Sequence, residues 1–126
     1  RVVSGADDKT LKVWDLNKDE GERCIATLTG HTSWVNTITA LPDGRVVSGA
    51  DDNTLKVWDL NNPEGERCIA TLTGHISGVS VLAVLPDGRV VSGCFDSTLK
   101  VWDLNKPKGD ECIGQQLSKV KLDQTL

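Results

Sequence analysis

The chain has 126 residues, of which 38% are hydrophobic and 25% charged, and its formal net charge at pH 7 is −4. This length is typical of one domain. The acidic balance and the scattered basic residues argue against the positive surface that nucleic-acid-binding proteins need. No run approaches the roughly 18 apolar residues of a membrane-spanning helix. We therefore expect no nucleic-acid and no membrane partner.

Three copies of one motif follow each other along the chain. They start at Arg1, Arg45 and Arg89, and every landmark recurs after 44 residues without insertion. A period in the forties is typical of repeat architectures, in which each unit buries its faces only against a neighbour. The chain opens inside a repeat and contains no methionine, as an excised or engineered piece would.

Each copy contains four predicted strands, which are described here for the second copy. Apolar, β-branched runs predict strands over Arg45–Gly49, Thr54–Leu60, Arg67–Leu72 and Ser77–Leu85. Turn sequences separate these strands, among them Asp-Asp-Asn and Pro-Asp-Gly. No apolar stripe with helical spacing and helix length occurs. The sequence therefore predicts an all-β protein.

The cysteines predict neither a disulfide framework nor a metal site. Cys24, Cys68 and Cys112 occupy the same position in successive copies, so we expect them to lie too far apart to pair. No pair has the close spacing of zinc ligands. We expect the cysteines to be buried small hydrophobic residues of a protein in a reducing, intracellular (cytoplasmic) compartment. We predict no metal and no cofactor.

Several motifs together resemble the WD-repeat family of β-propellers. The residues that carry the resemblance are Gly30-His31, Gly74-His75, the Trp-Asp pairs at 14–15, 58–59 and 102–103, and the Asp-x-Thr-x-x-x-Trp motifs that begin at Asp8, Asp52 and Asp96. The resemblance extends from the start of the chain to about Ile113. It implies blades of four antiparallel strands arranged radially around a channel, with the sequence repeat offset from the blade.

In this family pattern the chain, residues 1–126, is a single partial propeller with two complete blades and one split blade. The blades would span 34–73 and 78–117, and residues 1–29 would supply three strands of the split blade. Its innermost strand would come from the tail, 118–126, of another chain. Three blades cannot close a ring, so we expect either a larger propeller or oligomerisation, for which a homodimer with about six blades is favoured.

Ser, His and Asp recur at fixed offsets, which invites an interpretation as a hydrolase. Donor and acceptor counting favours a structural role, because Trp58 can only donate and therefore suits the oxygen of Ser48. Ser48 can then donate to His31, and His31 to Asp52, which leaves no free nucleophile. The resemblance implies a twin tetrad of His75, Ser92, Asp96 and Trp102, and a partial set of Ser4, Asp8 and Trp14. We predict no catalytic residue and no enzyme.

The loops beside the tetrads carry positions at which the copies differ, and we predict a partner-binding rim there. Its residues would be Thr32, Trp34, Asp51, Ile76, Phe95 and Asp7. Large aromatic side chains with acidic neighbours suit a protein or peptide with some positive charge. The resemblance thus implies a non-catalytic scaffold for protein–protein interaction. Two alternatives stay open: Trp34 only covers blade edges, or the chain is a purely structural, engineered or recently duplicated propeller fragment that assembles with itself.

Overall fold

The computed structural model describes residues 2–5, 8–106 and 111–116, and every regular element in these ranges is a β-strand. The strands are β1 (Val2–Gly5), β2 (Leu11–Trp14), β3 (Cys24–Leu28), β4 (Val35–Ala40), β5 (Val46–Ala50), β6 (Leu55–Trp58), β7 (Cys68–Leu72), β8 (Val79–Val84), β9 (Val90–Cys94), β10 (Leu99–Trp102) and β11 (Cys112–Gln116). The predicted all-β class is therefore confirmed. The described ranges hold no helix with the length and apolar character needed to cross a bilayer.

The strands form three separate antiparallel sheets. Two of them have four strands in sequential order, β4-β5-β6-β7 and β8-β9-β10-β11, and the third has the order β1-β2-β3. Pairing repeats between copies: Val46 lies opposite Trp58 just as Val2 lies opposite Trp14. The observed sheets are the blade-like units that the sequence predicts. In the three-stranded sheet, β1 is the edge strand. In the other two sheets the equivalent strands, β5 and β9, pair with one further strand, β4 or β8.

Predicted and observed strands differ by one or two residues at their ends. The predicted strand Ser77–Leu85 is observed as β8, and Thr54–Leu60 as β6. Turn hydrogen bonds account for the second difference, because the amide of Asn61 donates to the Asp59 carboxylate and turns the chain directly after Trp58.

The hydrophobic core lies between neighbouring sheets. Between the four-stranded sheets it contains Leu41, Val47, Leu55, Val57, Leu72, Val79, Val90 and Trp102. The equivalent core beside the three-stranded sheet contains Leu11, Val13, Leu28, Val35, Val46 and Trp58. Gly49 lets the sheets approach closely, since a Cβ atom there would lie 2.5 Å from Cγ1 of Val79. Each sheet thus buries its apolar face against the next copy, as expected for a repeat protein.

The prediction of buried cysteines is wrong for three of the four. Cys24, Cys68 and Cys112 are exposed, and only Cys94 is buried; all four are free thiols. The exposed cysteines begin the outermost strand of each sheet, where no further strand or sheet covers them. The sequence placed them correctly in strands but does not show which strand lies at the edge.

Two parts of the predicted organisation lie outside the described residues. These are the tail strand, 118–126, and the rim residue Asp7.

Candidate functional site

The dipeptide Gly30-His31 brings a histidine into the interior of the second sheet. Gly30 has a φ of 149°, a conformation that side chains rarely tolerate, and Trp58 and Lys56 pack closely over it. This turn directs His31 inward, where it is only 6% exposed. Its ring centroid lies 6.2 Å from that of Trp58.

Three hydrogen bonds form a chain that links His31 with one residue each from β5, β6 and the turn between them. Nε1 of Trp58 donates to Ser48 Oγ at 2.8 Å. Ser48 Oγ lies 2.6 Å from His31 Nε2, and His31 Nδ1 lies 2.8 Å from Asp52 Oδ2. Because Trp58 can only donate, the Ser48 hydroxyl is left to donate to Nε2, and Nδ1–H donates to the carboxylate. The arrangement has the connectivity predicted from the sequence.

Asp52 also organises the turn and the preceding loop. Its Oδ1 accepts from the amide and the hydroxyl of Thr54, at 3.0 and 2.6 Å, while Oδ2 accepts from the amide of Thr32 at 3.0 Å. Asn53 completes the turn with a φ of 70°. Burial opposes ionisation of Asp52, but the bonds from Thr54, His31 and Thr32 outweigh it and lower its pKa below 3.8.

His31 is held in its neutral form. Burial disfavours the imidazolium and lowers the pKa of His31 below 6.5, although its bond to Asp52 acts in the opposite direction. The side chain of His31 is fully buried and that of Asp52 is 8% exposed. At neutral pH the pair is therefore a charge-assisted hydrogen bond between a neutral imidazole and a carboxylate.

The corresponding residues of the next copy are arranged differently. His75 Nε2 lies 2.6 Å from Ser92 Oγ, and Trp102 Nε1 donates to the same oxygen at 2.8 Å. Asp96 accepts from the amide and the hydroxyl of Thr98, as Asp52 does from Thr54. Within the described ranges no hydrogen bond joins His75 to Asp96. The prediction of a second complete tetrad is therefore wrong in its His75–Asp96 bond. His75 Nδ1 instead makes a long contact of 3.5 Å with Thr98 Oγ1.

A neighbouring cysteine also contacts the carboxylate of Asp96. Cys94 stands where the preceding copy has Ala50, and its Sγ donates to Asp96 Oδ1 at 2.6 Å. This bond and those from Thr98 lower the pKa of Asp96 to about 2. Burial lowers the pKa of His75 as well, helped by the charge of Lys100.

In the partial set of the first copy, Ser4 and Asp8 are exposed and Trp14 is half-buried. Trp14 Nε1 donates to Ser4 Oγ at 2.9 Å, and Asp8 accepts from the amide and the hydroxyl of Thr10. The histidine of this copy, His31, belongs to the network of the second sheet, so the described part of the first sheet holds none. Its serine therefore links β1 to β2, and its aspartate stabilises the turn between them, without a histidine that connects the two.

The buried polar atoms of the tetrad face each other rather than a cleft. Ser48 is fully buried, and its oxygen already contacts both His31 and Trp58. In the described ranges, no buried side-chain nitrogen or oxygen lacks a partner. These ranges likewise hold no cluster of three or more His, Cys, Asp or Glu side chains suited to a metal ion. The arrangement can fix a loop to a turn, and it offers no accessible nucleophile.

The described rim residues lie on loops and turns beside the two histidine networks. Trp34 is 54% exposed, Ile76 82% and Phe95 65%, and Thr32 and Asp51 are also exposed. Equivalent backbone hydrogen bonds fix the chain at both aromatic residues. The amide of Asp51 donates to the carbonyl of Trp34, and the amide of Phe95 donates to the carbonyl of Gly78. These side chains are therefore presented outward from fixed backbone at one end of the sheets.

The structure adds Asn36 to this surface, which the sequence analysis missed. Asn36 is the extra residue of a β-bulge between β4 and β5. Its Nδ2 donates to Asp51 Oδ1 at 2.6 Å and to the carbonyl of Val79, in the next sheet, at 3.1 Å. A bulge inserts one extra residue and changes the direction of its side chain. The alternation of polar and apolar residues in the sequence does not show where this happens.

The sequence matches one protein-family model. The WD domain, G-beta repeat model covers residues 1–15, 22–59 and 66–103, which is more than half of the chain.

Similar proteins come from fungi. The chain is 48% identical over 44 residues to Nuclear distribution protein PAC1 of Arthroderma otae, which covers 35% of this chain and 9% of that protein. It is 46% identical over 44 residues to Nuclear distribution protein nudF 2 of Penicillium rubens, with the same coverage. A PAC1 protein of Scheffersomyces stipitis is 45% identical over 40 residues, or 29% of this chain and 8% of that protein. The matched segment thus spans less than a tenth of each relative.

Proposed function

This chain belongs to the WD domain, G-beta repeat family, and we propose that it is a non-catalytic scaffold that binds a protein or peptide on its loop-lined rim. Repeats of this family generally mediate protein–protein interaction. The proposal assigns the rim to Trp34, Asp51, Ile76 and Phe95, together with Thr32 and with Asp7 outside the described residues. The two histidine networks act as its supports.

The observation that carries the proposal is the exposure of large apolar side chains on a fixed backbone. Trp34 and Phe95 are more than half exposed, yet each lies beside a backbone hydrogen bond that ties its loop to the neighbouring turn. A rigid aromatic side chain loses little conformational entropy on binding, and tryptophan is enriched among residues that dominate interface energies. The rim therefore has the properties of a binding surface.

A non-catalytic role is supported by the tetrad geometry, since Ser48 is buried and its hydroxyl is committed to His31. An intracellular, reducing location is supported by three exposed cysteines that stay unpaired.

The test is a selection of random peptides displayed on phage against the whole chain. We expect enriched peptides whose affinity falls about tenfold in Trp34→Ala, because central tryptophans typically contribute more than 1 kcal/mol to binding. The midpoint of urea unfolding of this variant should stay unchanged. Failure to enrich any peptide would contradict the proposal. A large loss of stability in Trp34→Ala would instead favour a role for Trp34 in covering blade edges.

A second candidate function, self-assembly, is supported by the open face of the three-stranded sheet. Val2 is 47% exposed, whereas the repeat-equivalent Val46 is 3% exposed. Leu16 is 60% exposed, and its equivalent Leu60 packs against the core of the preceding sheet. In the second sheet the equivalent face is covered by the preceding sheet, so a sheet of the same repeat can pack on this surface.

We therefore propose that a second copy packs there and supplies its tail, 118–126, as the innermost strand beside residues 1–29. The segments 34–73 and 78–117 would be the complete blades of such an assembly. Native mass spectrometry should detect a dimer that Val2→Asp weakens. A monomer at all concentrations would contradict this second function and leave the rim proposal unaffected.

A further inference from the structure

A carboxylate and an aromatic ring from different sheets meet over one glycine on the rim. A Cβ atom at Gly78 would lie 2.6 Å from Asp51 Oδ1 and 3.0 Å from Cδ2 of Phe95. Both side chains therefore pack against the same backbone position. Each is also exposed, Phe95 by 65%. The pair forms a surface that combines a negative charge with a π-face.

The carboxylate of Asp51 and the backbone of Phe95 are both held in place. Asp51 Oδ1 accepts from Nδ2 of Asn36 at 2.6 Å, and the same Nδ2 donates to the carbonyl of Val79 at 3.1 Å. The amide of Phe95 donates to the carbonyl of Gly78 at 3.0 Å. Because these bonds fix the geometry before any ligand arrives, binding carries a smaller ordering cost.

We propose that the Asp51–Phe95 pair binds an arginine side chain of the partner, an inference that rests on the proposed rim function. A guanidinium group can donate to the Asp51 carboxylate while its plane stacks on the Phe95 ring. Arginine suits the pair better than lysine, because its planar, weakly hydrated cation stacks on aromatic faces and offers several donors in one plane.

The preceding junction between sheets has different residues at the equivalent positions. There Trp34 occupies the position of Gly78, and Asp51 itself occupies the position of Phe95. A large side chain replaces the glycine, and an acid replaces the ring. Within the described residues, the combination of glycine, carboxylate and aromatic ring thus belongs to the junction of the second and third copies.

The test uses N-acetyl-arginine methylamide as the probe, titrated into the whole isotopically labelled chain and followed by amide chemical shifts. We expect saturating shifts at Asp51, Gly78 and Phe95. Asp51→Asn and Phe95→Ala should each weaken binding about fivefold, as loss of one exposed ion pair or one cation–π contact predicts. The absence of shifts at these amides, or shifts that neither variant weakens, would overturn the proposal.

The matched control is Glu64→Gln, which removes one negative charge from the turn between β6 and β7. That turn lies at the opposite end of the sheet from Asp51, because successive turns of an antiparallel sheet alternate ends. The control should bind the probe as the unmodified chain does. Equal weakening by Glu64→Gln and Asp51→Asn would mean that only the overall charge attracts the probe, which would overturn the site.

Two further probes separate arginine from other cations. N-acetyl-lysine methylamide should bind several-fold more weakly, and the neutral citrulline analogue should give no shifts at the three amides. Equal binding of the lysine probe would overturn the preference for arginine, and equal binding of citrulline would exclude a cation site.

The peptide selection distinguishes this inference from the rim function itself. Peptides that require Trp34 but bind Asp51→Asn normally would support the rim and overturn the arginine site. Probe binding at Asp51 and Phe95 without any selected peptide would support the site while contradicting the proposed function.

Discussion

The histidine networks of the second and third sheets contain the same four residue types and differ in the hydrogen bonds of their aspartates. In the earlier network, His31 bonds directly to Asp52, which also accepts from the loop amide of Thr32. In the later network, Asp96 accepts from Cys94 and Thr98, while His75 retains its contact with Ser92. One network therefore ties the turn to the preceding loop through the aspartate, and the other does not.

This difference shows that the motif residues alone do not determine the network. A carboxylate in a turn has several donors within reach, and position 94 adds one that the preceding copy lacks. The loop before β8, which carries Ile76, is then held by the His75–Ser92 contact without the additional carboxylate link. We expect this loop to be less firmly held than the loop that carries Trp34.

The largest expected effect is the contrast between His31→Ala and His75→Ala. His31→Ala should reduce the free energy of unfolding by roughly 2 to 3 kcal/mol, because it removes a hydrogen bond to a charged group. His75→Ala should reduce it by roughly 1 to 2 kcal/mol, because a neutral bond to Ser92 is lost. Urea unfolding at one fixed protein concentration measures both. Equal losses would show that the Asp52 bond adds no stability.

A smaller effect is expected when the neighbour of the later network is changed. Cys94→Ala restores the residue found in the preceding copy and frees Asp96 to bond with His75. In this background His75→Ala should lower the melting temperature more than it does in the unmodified chain. The reverse change, Ala50→Cys, should make His31→Ala less harmful. A cycle of single and double variants measures the coupling, and strictly additive effects would contradict the role given to Cys94.

Lowering the pH should destabilise the protein, by less than the substitutions above do. Burial lowers the pKa of His31 and of His75 below 6.5, so the unfolded chain binds these protons more readily and stability falls as pH drops below about 6.5. The lowered pKa values of Asp52 and Asp96 add a second loss below pH 3.8, which for Asp96 ends at about 2.

Melting temperatures between pH 7.5 and 5 should therefore fall less in the double variant His31→Gln, His75→Gln than in the unmodified chain. If the melting temperatures of both proteins fall equally with pH, the two histidines do not cause the loss of stability.

The smallest effect is expected in the first copy. Ser4→Ala should change stability by less than about 0.5 kcal/mol, since its bond to Trp14 is exposed to water. Its matched variant Ser48→Ala should cost roughly 1 to 3 kcal/mol, because it leaves the buried nitrogens of Trp58 and His31 without their partner. Urea unfolding compares the two variants, and a large effect of Ser4→Ala would indicate that this surface is covered in solution.

Much of the fold was predictable because the relevant signals are local. Alternation and turn residues placed β5 to β8 within one or two residues, and the 44-residue period predicted the equivalent strands of the other copies. Donor and acceptor counting also gave the connectivity of Trp58, Ser48, His31 and Asp52. The exposure of Cys24 and its equivalents was predicted wrongly, because burial depends on which strand lies at the edge of a sheet.

By itself the sequence determined the number of copies, the strand pattern and the residue types of the two networks, because spacing along the chain sets which side chains share a turn or a strand face. Only the tertiary structure decided that, within the described residues, His75 lacks the bond to its aspartate that His31 makes to Asp52, and which side chains meet over Gly78. Those contacts join residues from different strands or sheets, so spacing along the chain does not fix the distances between them.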